Sequence, residues 1–158
     1  AFESRLYDAL QRLDPARPIV VEAESSRVGE RTVPPGLWAA MGTGQVITLS
    51  APLAARARHI VDTYVEIAAD PERLDRALSR LPRHHARATV SEWRAMAARG
   101  EIEPLAGQLM AAHYDPAYAR TSDRRDRTVL GTVTLTTLDV DDQTRAAGVI
   151  AGMVAGLG

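Results

Sequence analysis

Pro18-Ile19-Val20-Val21-Glu22-Ala23 and Gln45-Val46-Ile47-Thr48-Leu49-Ser50 are the two stretches on which the fold reading turns. Each is a short run rich in β-branched residues and bounded by turn signals, the pattern of a buried parallel strand. Between them, Ser25 to Val33 reads as a polar loop. A short helix follows, opened by Pro34-Pro35, carrying Leu37, Trp38 and Met41, and stopped at Gly42 and Gly44. Pro52 then sits in the first turn of a longer helix through Ile60, Val61, Tyr64 and Ile67. Strand, helix, strand, helix is the alternation of an α/β domain with a parallel sheet.

Outward from that centre, Phe2, Leu6, Leu10 and Leu13 recur at helical spacing up to Asp14-Pro15. With no capping residue ahead of Phe2, this helix is expected to continue from polypeptide before Ala1. From Asp70 the pattern stays helical, and Asp70-Pro71 caps the first piece. Thr89-Val90-Ser91-Glu92 has the form of a capping box ahead of Trp93 and Met96, with Gly100 as the stop. Leu105, Leu109 and His113 stripe another helix, ended by Asp115-Pro116. Strand-like alternation returns over Thr132 to Leu138, and a last helix runs through Ala146, Val149, Ile150 and Met153. The expected fold is one α/β unit of about three parallel strands: residues 1–50 and 128–158 form the core, and 51–127 a mainly helical insertion.

Composition narrows the chemistry. A chain of 158 residues buries roughly 70% of its unfolded surface, enough for one core. The chain contains no cysteine, so it offers no disulfide, thiolate metal site or sulfur nucleophile. It contains no lysine either: all 19 basic residues other than histidine are arginine. A phosphate loop needs a lysine to reach the β- and γ-phosphates, and Gly42-Thr43-Gly44 lacks both that residue and the spacing. A formal net charge of −1 argues against binding driven by a broadly basic surface, so local arginine clusters must carry any anion recognition. With no bilayer-length apolar run and no leader pattern, a soluble, cytoplasmic protein without membrane partners is expected.

Ligands of open parallel sheets bind beyond the carboxyl ends of the strands. Three places qualify. Glu22 and Glu24, followed by Arg27, fit either a water-mediated Mg²⁺ site or glutamates pairing with arginine at a strand end. Arg56 and Arg58 lie on the helix after the second strand; two apart, they do not share a face. Arg56 is the one expected to reach a site, binding either phosphate or a surface carboxylate, with Arg58 solvated or paired with Asp62. Arg80, Arg83, His84, His85 and Arg87, with Trp93 beyond them, suit phosphate gripping and base stacking, although Trp93, striped with Met96, reads first as a core residue. Adjacent His84 and His85 diverge on a helix and are a poor zinc pair. His113, Tyr114 and Tyr118 hold either a general acid or a helix terminus with a histidine at its carbonyl end. Ser122 to Arg127 reads as a solvated charged turn.

The combination Pro18-Ile19-Val20-Val21-Glu22-Ala23-Glu24-Ser25-Ser26-Arg27, then Leu37-Trp38, Ala51-Pro52-Leu53-Ala54-Ala55-Arg56, Leu81-Pro82-Arg83-His84-His85, Trp93 and His113-Tyr114-Asp115-Pro116-Ala117-Tyr118, resembles bacterial tRNA 2-selenouridine synthase from Phe2 to about Arg120. The resemblance implies the C-terminal part of a P-loop NTPase-like domain. It also implies a parent enzyme that converts wobble 2-thiouridine to 2-selenouridine with selenophosphate, through an S-geranyl intermediate made from geranyl diphosphate. The family's rhodanese cysteine and phosphate-loop lysine are not in this sequence, and the resemblance puts both in upstream segments that would be partners of this one, along with tRNA. Carried over, Glu22 and Glu24 lie near the phosphate-loop ligand. Arg27, Arg56, Arg58, Arg83 and Arg87 become anion contacts, and His84, His85, Trp93, His113, Tyr114, Tyr118 and Arg120 become tRNA contacts. No cofactor is expected to be held by this chain alone. A non-catalytic, arginine-rich tRNA- or partner-binding module is the alternative.

Overall fold

The first helix, α1 (Phe2–Gln11), forms on the spacing of Phe2, Leu6 and Leu10, which are half-buried while the other faces are exposed. In the computed structural model, which describes residues 2–23, 25–81, 85–122 and 127–157, the chain divides into two units. One comprises residues 1–50, 120–134 and 143–158; the other comprises 51–119 and 135–142.

In the first unit the Arg31 guanidinium lies 5.3 Å from the centre of the Phe2 ring. The expected strand over Pro18–Ala23 is absent: the segment is irregular, and Ile19, Val20 and Val21 are 53%, 60% and 52% exposed. β-Propensity reflects packing against neighbouring strands and burial, and this run pairs with no strand among the described residues. The polar loop that follows contains a minimal antiparallel hairpin, β1 (Arg27–Val28) and β2 (Arg31–Thr32), turning at Gly29 with φ 61°. Next, α2 (Pro35–Thr43) starts at the proline pair and stops where the Gly44 N–H donates to the Met41 carbonyl.

The parallel sheet of this unit has two strands among the described residues, β3 (Val46–Ser50) and β4 (Val129–Thr134), rather than three. The fold is therefore mixed α/β and only loosely consistent with a P-loop architecture. Ile47 through Ser50 pair with Gly131 through Thr134, after a one-residue irregularity at Val46. β4 starts and ends earlier than the alternation predicts, because its partner runs out at Ser50. A Cβ on Gly131 would lie 3.1 Å from the Met153 Cε, so the glycine lets α9 (Val140–Ala155) approach the strand closely.

The second unit is helical: α3 (Leu53–Thr63), α4 (Val65–Ala68), α5 (Pro71–Leu78), α6 (Arg87–Ala98), α7 (Ile102–Leu109), a π turn (Met110–Tyr114) and α8 (Asp115–Ser122). The long helix expected after Pro52 breaks at Tyr64. Asp70 caps α5, its carboxylate accepting from the Arg73 N–H at 2.9 Å, with Pro71 at the first helical position. No capping box forms at Thr89. α6 begins two residues earlier, behind an extended Ala86, so Thr89 and Glu92 are inside the helix. Gly100, at φ 75°, follows the end of α6 as expected.

The core of this unit is Leu78, Val90, Trp93, Met96, Ala97 and Leu105, flanked by Leu74, Leu81 and Leu109. Burying one large apolar side chain contributes about 2 kcal/mol, so this cluster dominates the stability of the helices around it. Beyond β4, the buried Asp142 carboxylate accepts from the backbone N–H groups of Thr136, Thr137 and Leu138 at 2.7, 2.9 and 3.1 Å. Those donors are turned toward a carboxylate, so the expected extension of the strand to Leu138 does not occur. No helix among the described residues is long and apolar enough to cross a membrane.

Candidate functional site

Several polar side chains from remote parts of the chain meet in the helical unit. Arg56, in the second turn of α3, reaches the first residue of α8: its Nη1 and Nη2 donate to Asp115 Oδ1 and Oδ2 at 2.7 and 2.9 Å. This fork-to-fork pair is half-buried. The hydrogen bond and the charge of Asp115 raise the Arg56 pKa against the opposing effect of burial; the same bond holds the Asp115 carboxyl below its ordinary value. The remaining donor, Arg56 Nε, is buried without a hydrogen-bond partner among the described residues. An anion that used Arg56 would have to displace Asp115. The guanidinium singled out for anion binding is, in this structure, a clamp between two helices.

Arg58 is exposed and lies 3.6 Å from Glu103 rather than pairing with Asp62. Arg27, on β1, turns its Nε toward the Gly29 carbonyl at 3.3 Å, while its own N–H is capped by Ser25. Glu22 is exposed on irregular backbone, not at a strand end. Glu24, Arg83 and His84 lie outside the described residues, as does most of the charged run after Ser122. Arg120 belongs to α8. Arg87 is exposed in the first turn of α6, with no ion pair among the described residues.

The aromatic groups are brought together more closely than their spacing predicted. His85 Nε2 and His113 Nδ1 are 2.9 Å apart, and both rings are half-buried. One nitrogen donates and the other accepts, so this contact holds only while at least one of the two imidazoles is neutral. His85 stacks edge-on against Trp93 at 4.9 Å, and His113 against Tyr114 at 5.1 Å. Trp93 is 1% exposed and donates its Nε1–H to Gln108 Oε1 at 2.9 Å. A ring so enclosed offers no face to a base, and the core reading of Trp93 replaces its reading as a tRNA contact. Tyr114 and Tyr118 are exposed.

His113 does not sit at a helix terminus, because Asp115-Pro116 does not end the helix. The π turn shifts the bonding ladder to five residues, with the Asp115 N–H donating to the Met110 carbonyl, and α8 continues directly. Proline lacks the N–H a helix interior needs. The shifted ladder just before Pro116 accommodates that loss. Sequence reasoning missed the partners Asp115, Glu103 and Gln108, each of which is remote in the chain from the group it meets. Among the described residues, no group of three or more histidine, aspartate or glutamate side chains is arranged to hold a metal.

Residues 1–75 match the family described as tRNA 2-selenouridine synthase AAA domain. Just under half of the chain is therefore similar to that synthase domain. The match spans α1 through the middle of α5 and includes Glu22, Glu24, Arg27, Arg56 and Arg58. The histidine pair, Arg87, Trp93, Tyr114 and Tyr118 lie beyond it, so the match does not cover the resemblance expected from there to about Arg120. No curated protein and no solved structure matches the chain.

Proposed function

We propose that the chain works as part of a tRNA-modifying transferase that replaces the sulfur of wobble 2-thiouridine with selenium from selenophosphate, by way of an S-geranyl intermediate made from geranyl diphosphate. The observation that carries this reading is the match of residues 1–75 to the synthase domain. The sulfur-handling cysteine and the phosphate-loop lysine must come from other polypeptide, because the chain has neither residue. What its own residues supply is guanidinium charge for tRNA or pyrophosphate and a helical lobe organised around Trp93.

The test is chemical. Cells that contain the gene, grown with selenite, are compared with cells from which the coding region for this chain has been deleted, and tRNA nucleosides are quantified by mass spectrometry. Loss of 2-selenouridine on deletion is the expected result; an unchanged level would overturn the proposal.

The alternative, a non-catalytic arginine-rich tRNA- or partner-binding module, is favoured by one feature: Arg87 is exposed with no ion pair among the described residues. It shares the RNA contact with the first reading and differs in leaving the selenium content of tRNA unchanged.

A further inference from the structure

We infer that the outer face of α5 is a docking surface for the phosphate backbone of RNA. The inference rests on the tRNA reading above and extends the contact from Arg80, which the sequence had marked, to Arg73 and Arg76, which it had not.

α5 and the turn after it carry two stripes. Leu74, Leu78 and Leu81, spaced four and three apart, face inward: Leu78 belongs to the core and the other two pack against it. Arg73, Arg76 and Arg80, spaced three and four apart, are exposed on the other side. From the first to the last of these arginines the helical rise is about 10 Å, longer than a single phosphate group. The stripe therefore suits a polyanion better than a small anion.

Ion pairing sets these arginines apart from their neighbours. Asp75, next to Arg76 in the sequence, is held by the Nε and Nη2 of Arg94 from α6, so its charge is already paired. Arg56, Arg58 and Arg99 face carboxylates in the same way. Arg76 makes a 3.4 Å contact with Glu72 between two exposed side chains, of the kind that contributes little. Arg73 and Arg80 have no ion pair among the described residues. A guanidinium without a carboxylate, on a face where packing makes no demand on it, is available to bind phosphate.

The experiment uses the whole 158-residue chain and fluorescein-labelled tRNA, followed by anisotropy over about 50 to 200 mM salt. The double variant Arg73→Ala with Arg80→Ala is expected to bind roughly tenfold more weakly, and its plot of log K against log salt to flatten by about 1.5. Arg5→Ala with Arg12→Ala removes the same charge from α1 and the turn after it and should bind like the unchanged chain. Arg73→Lys with Arg80→Lys, which preserves the charge, should recover most of the affinity. Three results would overturn the assignment: no tRNA binding by the unchanged chain, equal weakening by both alanine pairs, or displacement of tRNA by polyglutamate as effective as by unlabelled tRNA, which would indicate an acidic protein partner. Failure here is separable from failure of the transferase reading. Deletion that abolishes 2-selenouridine, with the α5 variants still binding normally, removes only the docking surface. Binding that depends on α5, with tRNA selenium unaffected by deletion, removes only the transferase.

Discussion

The two units of the chain differ in how well they cover their own apolar residues. The helical unit encloses Trp93, Leu78 and Leu105 almost completely, whereas in the α/β unit only Val133 and Ala146 are buried among the described apolar residues. Ile19, Val20, Val21, Val28 and Leu49, all in the α/β unit, are more than half exposed. Apolar residues alone do not make a core. The difference lies in arrangement: repeated helical spacing gives each helix one apolar face to bury, while the β-branched runs need strand partners before they can hide theirs.

The comparison is most easily broken at Trp93. Trp93→Ala is expected to destabilise the helical unit by about 3 to 5 kcal/mol, from lost burial and the cavity left behind, and it strands Gln108 as well. Urea denaturation followed by circular dichroism measures the change. A loss below about 1 kcal/mol, the range of an unremarkable surface site, would mean the cluster does not dominate this unit.

A smaller effect is expected at the clamp between α3 and α8. Because the folded-state pKa of Asp115 lies below its ordinary value of 3.8, the pair stabilises the fold above that value. The contribution is lost as pH falls through the lowered folded-state value. With Arg56 34% and Asp115 44% exposed, solvent screening limits the contribution to about 1 kcal/mol or less. Asp115→Asn should remove that part of the acid sensitivity; a variant whose stability falls on acidification as steeply as the unchanged chain would contradict the assignment.

The smallest effect sharpens the contrast from the other side. Val20→Thr, on a residue with most of its surface in solvent, should change stability by less than about 0.5 kcal/mol. Thermal denaturation that shows a loss well beyond that would mean the run is covered in solution.

Much of this was legible in the sequence. α1, α2, β3 and α9 follow from spacing, proline placement and glycine stops, all local signals. The failures are non-local. Pro18–Ala23 has strand-forming residues, but whether they pair depends on another segment, and β4 is shortened because β3 ends at Ser50. Thr89 and Glu92 have the letters of a capping box, yet Arg87 and Ala88 extend the helix ahead of them, so Thr89 lies three residues after the actual N-cap, Ala86.

For the site, charge was visible and pairing was not. Arg56 was found by its position after a strand, but Asp115, 59 residues away, could not be assigned to it without the fold. The i, i+3, i+7 spacing of Arg73, Arg76 and Arg80 was present in the sequence all along. Its meaning depended on knowing which neighbouring arginines were already neutralised.

The wide turn at Met110–Tyr114 has a bearing on how this chain is compared with others. Such a turn corresponds to a single extra residue threaded into an otherwise regular helix. A homologous protein one position shorter there would keep a continuous helix with its downstream side chains on the same faces, each standing one place earlier in the sequence. The counterpart of Asp115 would still meet Arg56, but an alignment without a gap at this point would equate side chains about 100° apart around the helix.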